Sequence, residues 1–153
     1  MKMASRFIVL LISLLFLSFV SCKHTDETNI SAHFGSKSHN SGKDCMHCHK
    51  VGNDATGWFI VAGTVYDTTG SGRMPNGTIR LYTAPDGTGI LRATVEVDAN
   101  GNFYTTEKVD YSGGLYPEIT GTTGDVHMMP SPTTNGACNT CHDGNTARRI
   151  YVW

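Results

Sequence analysis

The chain has no basic run, no apolar stretch long enough for a membrane helix, and no cysteine to spare. Its 12 Lys+Arg are scattered and balanced by 13 Asp+Glu. The electrostatic footprint of a nucleic-acid-binding surface is therefore missing, and nucleic acid is not expected as a partner. The longest apolar run, Phe7 to Val20, has 14 residues including two serines. That falls short of the roughly 20 residues a bilayer-spanning helix needs. No segment repeats its apolar residues at the helical interval, which argues against a helical bundle. No small-residue A-x-A cleavage site follows the apolar run either.

What is present begins with that run. Lys2 and Arg6 precede it and Phe19-Val20-Ser21-Cys22 ends it, the order of a secretory signal. A small residue directly before a cysteine resembles a bacterial lipoprotein signal, in which the cysteine becomes the lipidated first residue. An ordinary signal cut nearby, with Cys22 lost or idle, is the alternative. The expected organisation is a signal peptide over 1–21, a flexible tether over 22–37 and one domain over 38–153. The resemblance implies a membrane-anchored lipoprotein in the periplasm or at the cell surface. Without residues 1–21, which hold Lys2 and Arg6 and no acidic residue, 10 Lys+Arg face 13 Asp+Glu, a net charge of −3.

The five cysteines are Cys22, Cys45, Cys48, Cys138 and Cys141. If Cys22 takes lipid, the other four form two pairs of identical spacing. A histidine follows each pair: Cys45-Met46-His47-Cys48-His49 and Cys138-Asn139-Thr140-Cys141-His142. C-x-x-C-H is the attachment pattern for c-type haem. Two thiols must reach two vinyl groups on one edge of a flat porphyrin. The next residue then turns under the ring and offers an imidazole nitrogen to iron. A zinc centre would need four ligands converging from positions 90 apart, and would leave the matched histidines without a role. Thioredoxin-like dithiols would need a strand-to-helix context that these glycine-rich surroundings do not offer. Two haem c groups are the expectation, with no cysteine left for a structural disulfide.

The segments SHNSGKDCMHCHK and MPSPTTNGACNTCHD resemble the low-molecular-mass multihaem c-type cytochromes. The resemblance covers a minority of the chain. It implies that Cys45, Cys48, Cys138 and Cys141 form thioethers and that His49 and His142 are proximal iron ligands.

A haem iron has a second axial position, filled in most electron carriers and open in haem enzymes. His39 is the candidate sixth ligand for the first haem, because Ser38, Asn40, Ser41 and Gly42 let the chain bend round a ring. His33 is the alternate, and His24 stands in the tether. His47 lies within its own attachment loop and cannot turn onto that iron. For the second haem, His127-Met128-Met129-Pro130 stands just upstream of Cys138. Methionines in a polar, proline-bounded loop are poorly explained by core packing, so Met129 is the candidate and His127 the alternate. Met74 is the remaining methionine considered.

From Gly52 to Gly124 lie 13 of the 17 glycines, among threonine and β-branched residues. Leu91, Ala93, Val95 and Val97 alternate with Arg92, Thr94 and Glu96, a half-buried strand. Residues 58–66 are apolar on both faces and read as a deeply buried strand. Further strands are expected over 78–83, 103–109, 115–120 and 149–153. Pro85-Asp86-Gly87 and Asp98-Ala99-Asn100-Gly101 supply turns. The fold class is mainly β. GTVYDTTGSGRMPNGTIRLYT and DANGNFYT resemble immunoglobulin-like or transthyretin-like modules, which implies a β-sandwich over 58–123 with irregular haem-binding arms before and after it. Trp58 and Trp153 read as core or haem-packing residues, and Glu107 as an edge residue. Arg148 and Arg149 are candidates to pair with haem propionates. If the first and last strands are parallel neighbours, both haems are expected side by side beyond one end of the sandwich.

The sequence thus points to an exported dihaem cytochrome c that carries electrons at the cell envelope and is not an enzyme. Its expected partners are other redox proteins or multihaem cytochromes, with self-association as a further option. Two rivals stay open: a peroxidase-like haem enzyme with one open iron, and a β-sandwich module that binds glycan or a protein partner. The anchor gives the first test. Cys22→Ser should release a red, soluble protein from the envelope fraction, and a variant that stays with the membrane places the anchor elsewhere.

Overall fold

The computed structural model describes residues 28–53 and 55–153. The expected signal peptide, Cys22 and His24 lie outside them. Among the described residues no helix is long and apolar enough to cross a membrane. The elements among the described residues are eight strands and two single-turn helices: α1 (Cys45–Cys48), β1 (Val61–Tyr66), β2 (Thr78–Tyr82), β3 (Leu91–Glu96), β4 (Asn102–Thr105), β5 (Tyr116–Thr120), β6 (Val126–Met128), β7 (Gly136–Ala137), α2 (Cys138–Cys141) and β8 (Ile150–Tyr151). They build two four-stranded sheets.

In the first sheet β1 is central. β4 runs antiparallel along one edge, with Val61 opposite Thr105 and Gly63 opposite Phe103. The other edge is shared. β7 pairs in parallel with Val61 and Ala62, and β8 pairs in parallel with Val65 and Tyr66. The second motif, α2, occupies the gap between β7 and β8. The second sheet runs β3-β2-β5-β6, antiparallel throughout.

Period-two alternation places the core. Val61 and Val65 of β1 and Phe103 of β4 meet Ile79, Leu81, Val95 and Ile119 of the second sheet, with Val97, Leu115 and Val152 completing the cluster. The alternate residues of the first sheet face outward. Ala62 and Tyr104 pack there with Phe59, Cys45 and Met46. The N-terminal arm covers this outer face, which explains why every residue of β1 is buried.

Glycine is required where the layers come closest. A Cβ on Gly63 would collide with the Phe103 ring and lie 3.1 Å from the Cys138 Cβ. The Pro85 turn closes with Asp86 and Gly87 both at positive φ, 58° and 65°. The sequence supports both, since aspartate and glycine tolerate that region best.

Several expectations need correction. The described part of the supposed tether is not free. Ile30 bridges to Thr105, Ser31 is buried, and the Asn29 N–H donates to Thr106 Oγ1 at 2.8 Å. β4 stops at Thr105 and not at Val109, because the Thr106 N–H turns away to the Asn29 carbonyl and the Glu107 N–H to Thr105 Oγ1. Glu107 is exposed past that end. Leu91 is 46% exposed; a register shift between Leu81 and Tyr82 takes it off the buried face. Strand structure continues to Tyr151, beyond the 58–123 segment. Trp153 is 65% exposed and Trp58 37%, so neither is a core residue.

Leu81 is almost fully buried between the sheets. Leu81→Ala should lower stability by about 2–5 kcal/mol through lost burial and the cavity left behind, read as a fall in the urea midpoint with little change in m-value.

Candidate functional site

Each motif folds as one helical turn closed by its own histidine. The His49 N–H donates to the Cys45 carbonyl at 3.0 Å, and the His142 N–H to the Cys138 carbonyl at 2.9 Å. At 3.6 residues per turn, positions i, i+3 and i+4 share a face. Two sulfurs and an imidazole are thus presented together, twice. Asp44 caps α1 by accepting from the Met46 N–H at 3.0 Å.

The two imidazoles are oriented in the same way. His49 Nδ1 lies 3.1 Å from the Thr56 carbonyl and 3.2 Å from that of Gly57. His142 Nδ1 lies 2.6 Å from the Arg148 carbonyl. A carbonyl oxygen only accepts, so Nδ1 carries the proton in both rings and Nε2 keeps its lone pair. That is the arrangement by which proteins fix the tautomer and direction of a metal-ligating histidine. Phe59 stacks on the His49 ring at 4.1 Å between centroids and 11° between planes.

All four thiols are free. Burial, with the Asp44 carboxylate nearby, holds the Cys45 thiol above its ordinary range. Burial, with Cys45 as a neighbour, pushes Cys138 up to about 12. A redox dithiol works through a thiolate of lowered pKa, so these cysteines are poorly placed for that chemistry. Among the described residues no three His, Cys, Asp or Glu side chains converge as a metal cluster. The four thiols do not form one tetrahedral centre.

The first site lies on the outer face of the first sheet. His39 comes opposite His49, with ring centroids 5.9 Å apart and planes at 41°. Two metal–nitrogen bonds of about 2 Å, plus the ring radii, span a similar distance. The loop that brings His39 there is pinned from below. Asn100 Nδ2 donates to the Ser36 and Ser38 carbonyls, and Asn102 Nδ2 to the Ser38 and Ser41 hydroxyls, at 2.8–3.2 Å. The alternate, His33, is engaged elsewhere, with Nε2 2.9 Å from the Gly77 carbonyl. His47 is exposed.

The second site is a cavity of about 320 Å³ at the open side of the two sheets. Cys138, Cys141 and His142 line one side; His127, Met129 and Pro130 of the second sheet line the other, over an apolar floor with Phe103 and Ile119. Arg148 and Arg149 stand at the same cavity. Met74 is not there: it packs against the core.

Both motifs rest on β1, one on its outer face and one at the cavity between the sheets. They adjoin one another, Cys45 neighbouring Cys138, but they flank β1 and do not lie beyond an end of the fold. β1 and the last strand are parallel neighbours, as expected, but the second motif interrupts that last strand where it was expected to precede it. Asn139, an unspecified position of the C-x-x-C-H pattern, holds the two together. Its side chain is buried. It accepts from the Thr64 N–H at 3.0 Å and donates to Thr64 Oγ1 at 3.1 Å and to the Lys43 carbonyl at 2.8 Å. Sequence reasoning missed this residue because the pattern assigns it no chemistry. Asn100 and Asn102 were missed in the same way, as turn and strand residues.

Comparison of the chain with protein-family models, with curated proteins and with solved structures finds no match.

Asn139→Ala should cost about 1–3 kcal/mol for each buried group left unpaired. Asn139→Asp keeps the acceptor for Thr64 but sets a buried carboxylate against the Lys43 carbonyl oxygen, and should lower thermal stability at least as much as the alanine variant.

Proposed function

We propose that this chain is an exported dihaem c-type cytochrome that carries electrons at the cell envelope. The observation that carries the reading is the duplicate geometry: two free thiols and an imidazole on one face of a helical turn, with Nδ1 tied to a backbone carbonyl each time. A c-type haem supplies reversible one-electron chemistry at iron. The chain's residues do the rest. Cys45, Cys48, Cys138 and Cys141 would attach the groups, and His49 and His142 would hold the iron atoms. His39 would hold the first iron together with His49, and the largely apolar cavity between the sheets would receive the second group.

The strand order also supports a narrower fold reading. In an immunoglobulin sandwich the first two strands share a sheet, whereas β1 and β2 belong to different sheets. The arrangement β4-β1-β7/β8 against β3-β2-β5-β6 favours the transthyretin-like alternative. Partners on this reading are other redox proteins, with the membrane held through lipid on Cys22. The peroxidase-like rival draws on one observation, the cavity beside His142. Rapid carbon monoxide binding by the reduced protein would favour that enzyme, and no binding supports the carrier.

The covalent claim has a simple check. After acid denaturation and organic extraction, the colour of two haems per chain should stay with the polypeptide. Colour passing into the organic phase would refute covalent attachment.

A further inference from the structure

The two sites are built differently, and the difference has a redox consequence. At the first, two imidazoles already face one another on the sheet's outer surface, and His39 is exposed. At the second, the register of β6 decides what faces inward. Ile119 pairs with His127, and Glu118 with Met128. Ile119 belongs to the core, so His127 points toward the interior; Met128 borders the cavity, but alternation sends its side chain to the opposite face. The Met128 Cε indeed lies 3.5 Å from where a Cβ on Gly87 would stand. The Met129 N–H donates to the Pro117 carbonyl at 2.9 Å, extending the ladder by one residue. Alternation therefore returns Met129 to the face of His127, and both line the cavity.

The two inward residues are not equally free. The His127 ring lies edge-on to Tyr151, 4.5 Å between centroids, and the Tyr151 ring also carries the Arg148 guanidinium at 3.6 Å. His127 Nε2 lies 3.9 Å from Asp125 Oδ2. Asp125 is itself held by the Thr123 hydroxyl and the Trp153 N–H, at 2.6 and 2.7 Å. Turning His127 into the cavity would break this packing. Met129 has an unbranched side chain with three rotatable bonds and needs no such rearrangement.

We infer that Met129 is the sixth ligand opposite His142 while His39 is the sixth ligand opposite His49, so the second centre has the higher reduction potential of the two. This rests on the dihaem reading above and deepens it. A thioether raises the potential relative to a second imidazole. The largely apolar lining of the cavity acts in the same direction, because apolar surroundings disfavour the more highly charged ferric state. These residues thus polarise the pair, with reducing equivalents settling at the cavity side.

The test uses the intact holoprotein, with covalent haem counted first in the denatured state. The ferric protein should show a sulfur-to-iron charge-transfer band, and a spectroelectrochemical titration should give two one-electron waves. Met129→Leu, close in volume, should abolish the band and move the more positive wave downward. Met129→His should also abolish the band while keeping a low-spin iron, and should draw the two waves together. His39→Ala should leave the band intact and open the other iron to carbon monoxide. A band that survives Met129→Leu, or is absent from the unaltered protein, would overturn the inference. So would a band-bearing centre that titrates at the lower potential. A protein lacking covalent haem would instead overturn the dihaem reading itself, so the two failures are distinguishable.

Discussion

One backbone N–H organises this molecule. The final strand runs beside β1 as β7, departs after Ala137, and returns at Ile150 as β8. Where it departs, the Thr64 N–H faces a gap, and a buried unpaired N–H costs about as much as a lost hydrogen bond. The Asn139 carbonyl oxygen fills that gap at 3.0 Å. The same amide reaches the Lys43 carbonyl, two residues before Cys45. One side chain therefore completes the sheet, seats the second motif and fixes the approach of the first. The close contact of Cys138 with β1 also demands a glycine at position 63.

From this follows the division of the molecule into two environments. The outer face of the first sheet, roofed by residues 29–49, carries the first imidazole pair. The gap between the sheets carries the second motif, facing β6 across an apolar cavity. A β-sandwich with an unbroken last strand would leave no such cavity beside a cysteine pair. The interruption of that strand seats the second cysteine pair beside β1, at the edge of the cavity.

Much of the scaffold was legible because period-two patterning survives in single strands. Residues 93–97 alternate as they must when one face is buried, and residues 61–66, with Thr64 the one hydrogen-bonded exception, are apolar because both faces are covered. Asp86 and Gly87 announced their turn. Of the candidate site, the two turns of Cys45, Cys48 and His49 and of Cys138, Cys141 and His142 were legible, because C-x-x-C-H spacing leaves a local signature. What escaped was non-local. β7 has two residues and β6 three, too short for any period to show. Residues 29–31 hold to β4 and its end largely through backbone bonds, which leave no mark on side-chain pattern. Asn139 pairs with a residue 75 positions away, and no local rule reaches that far. The placing of both motifs beyond one end assumed an intact last strand, and failed for that reason.

The central claim is that both C-x-x-C-H turns carry covalent haem on one small β domain. Peptide mapping of the mature protein by mass spectrometry tests it most directly. The account predicts one peptide with a haem mass on Cys45 and Cys48 and another on Cys138 and Cys141, with no disulfide. Unmodified cysteines, a Cys45–Cys48 or Cys138–Cys141 disulfide, or bound zinc at those peptides would contradict it.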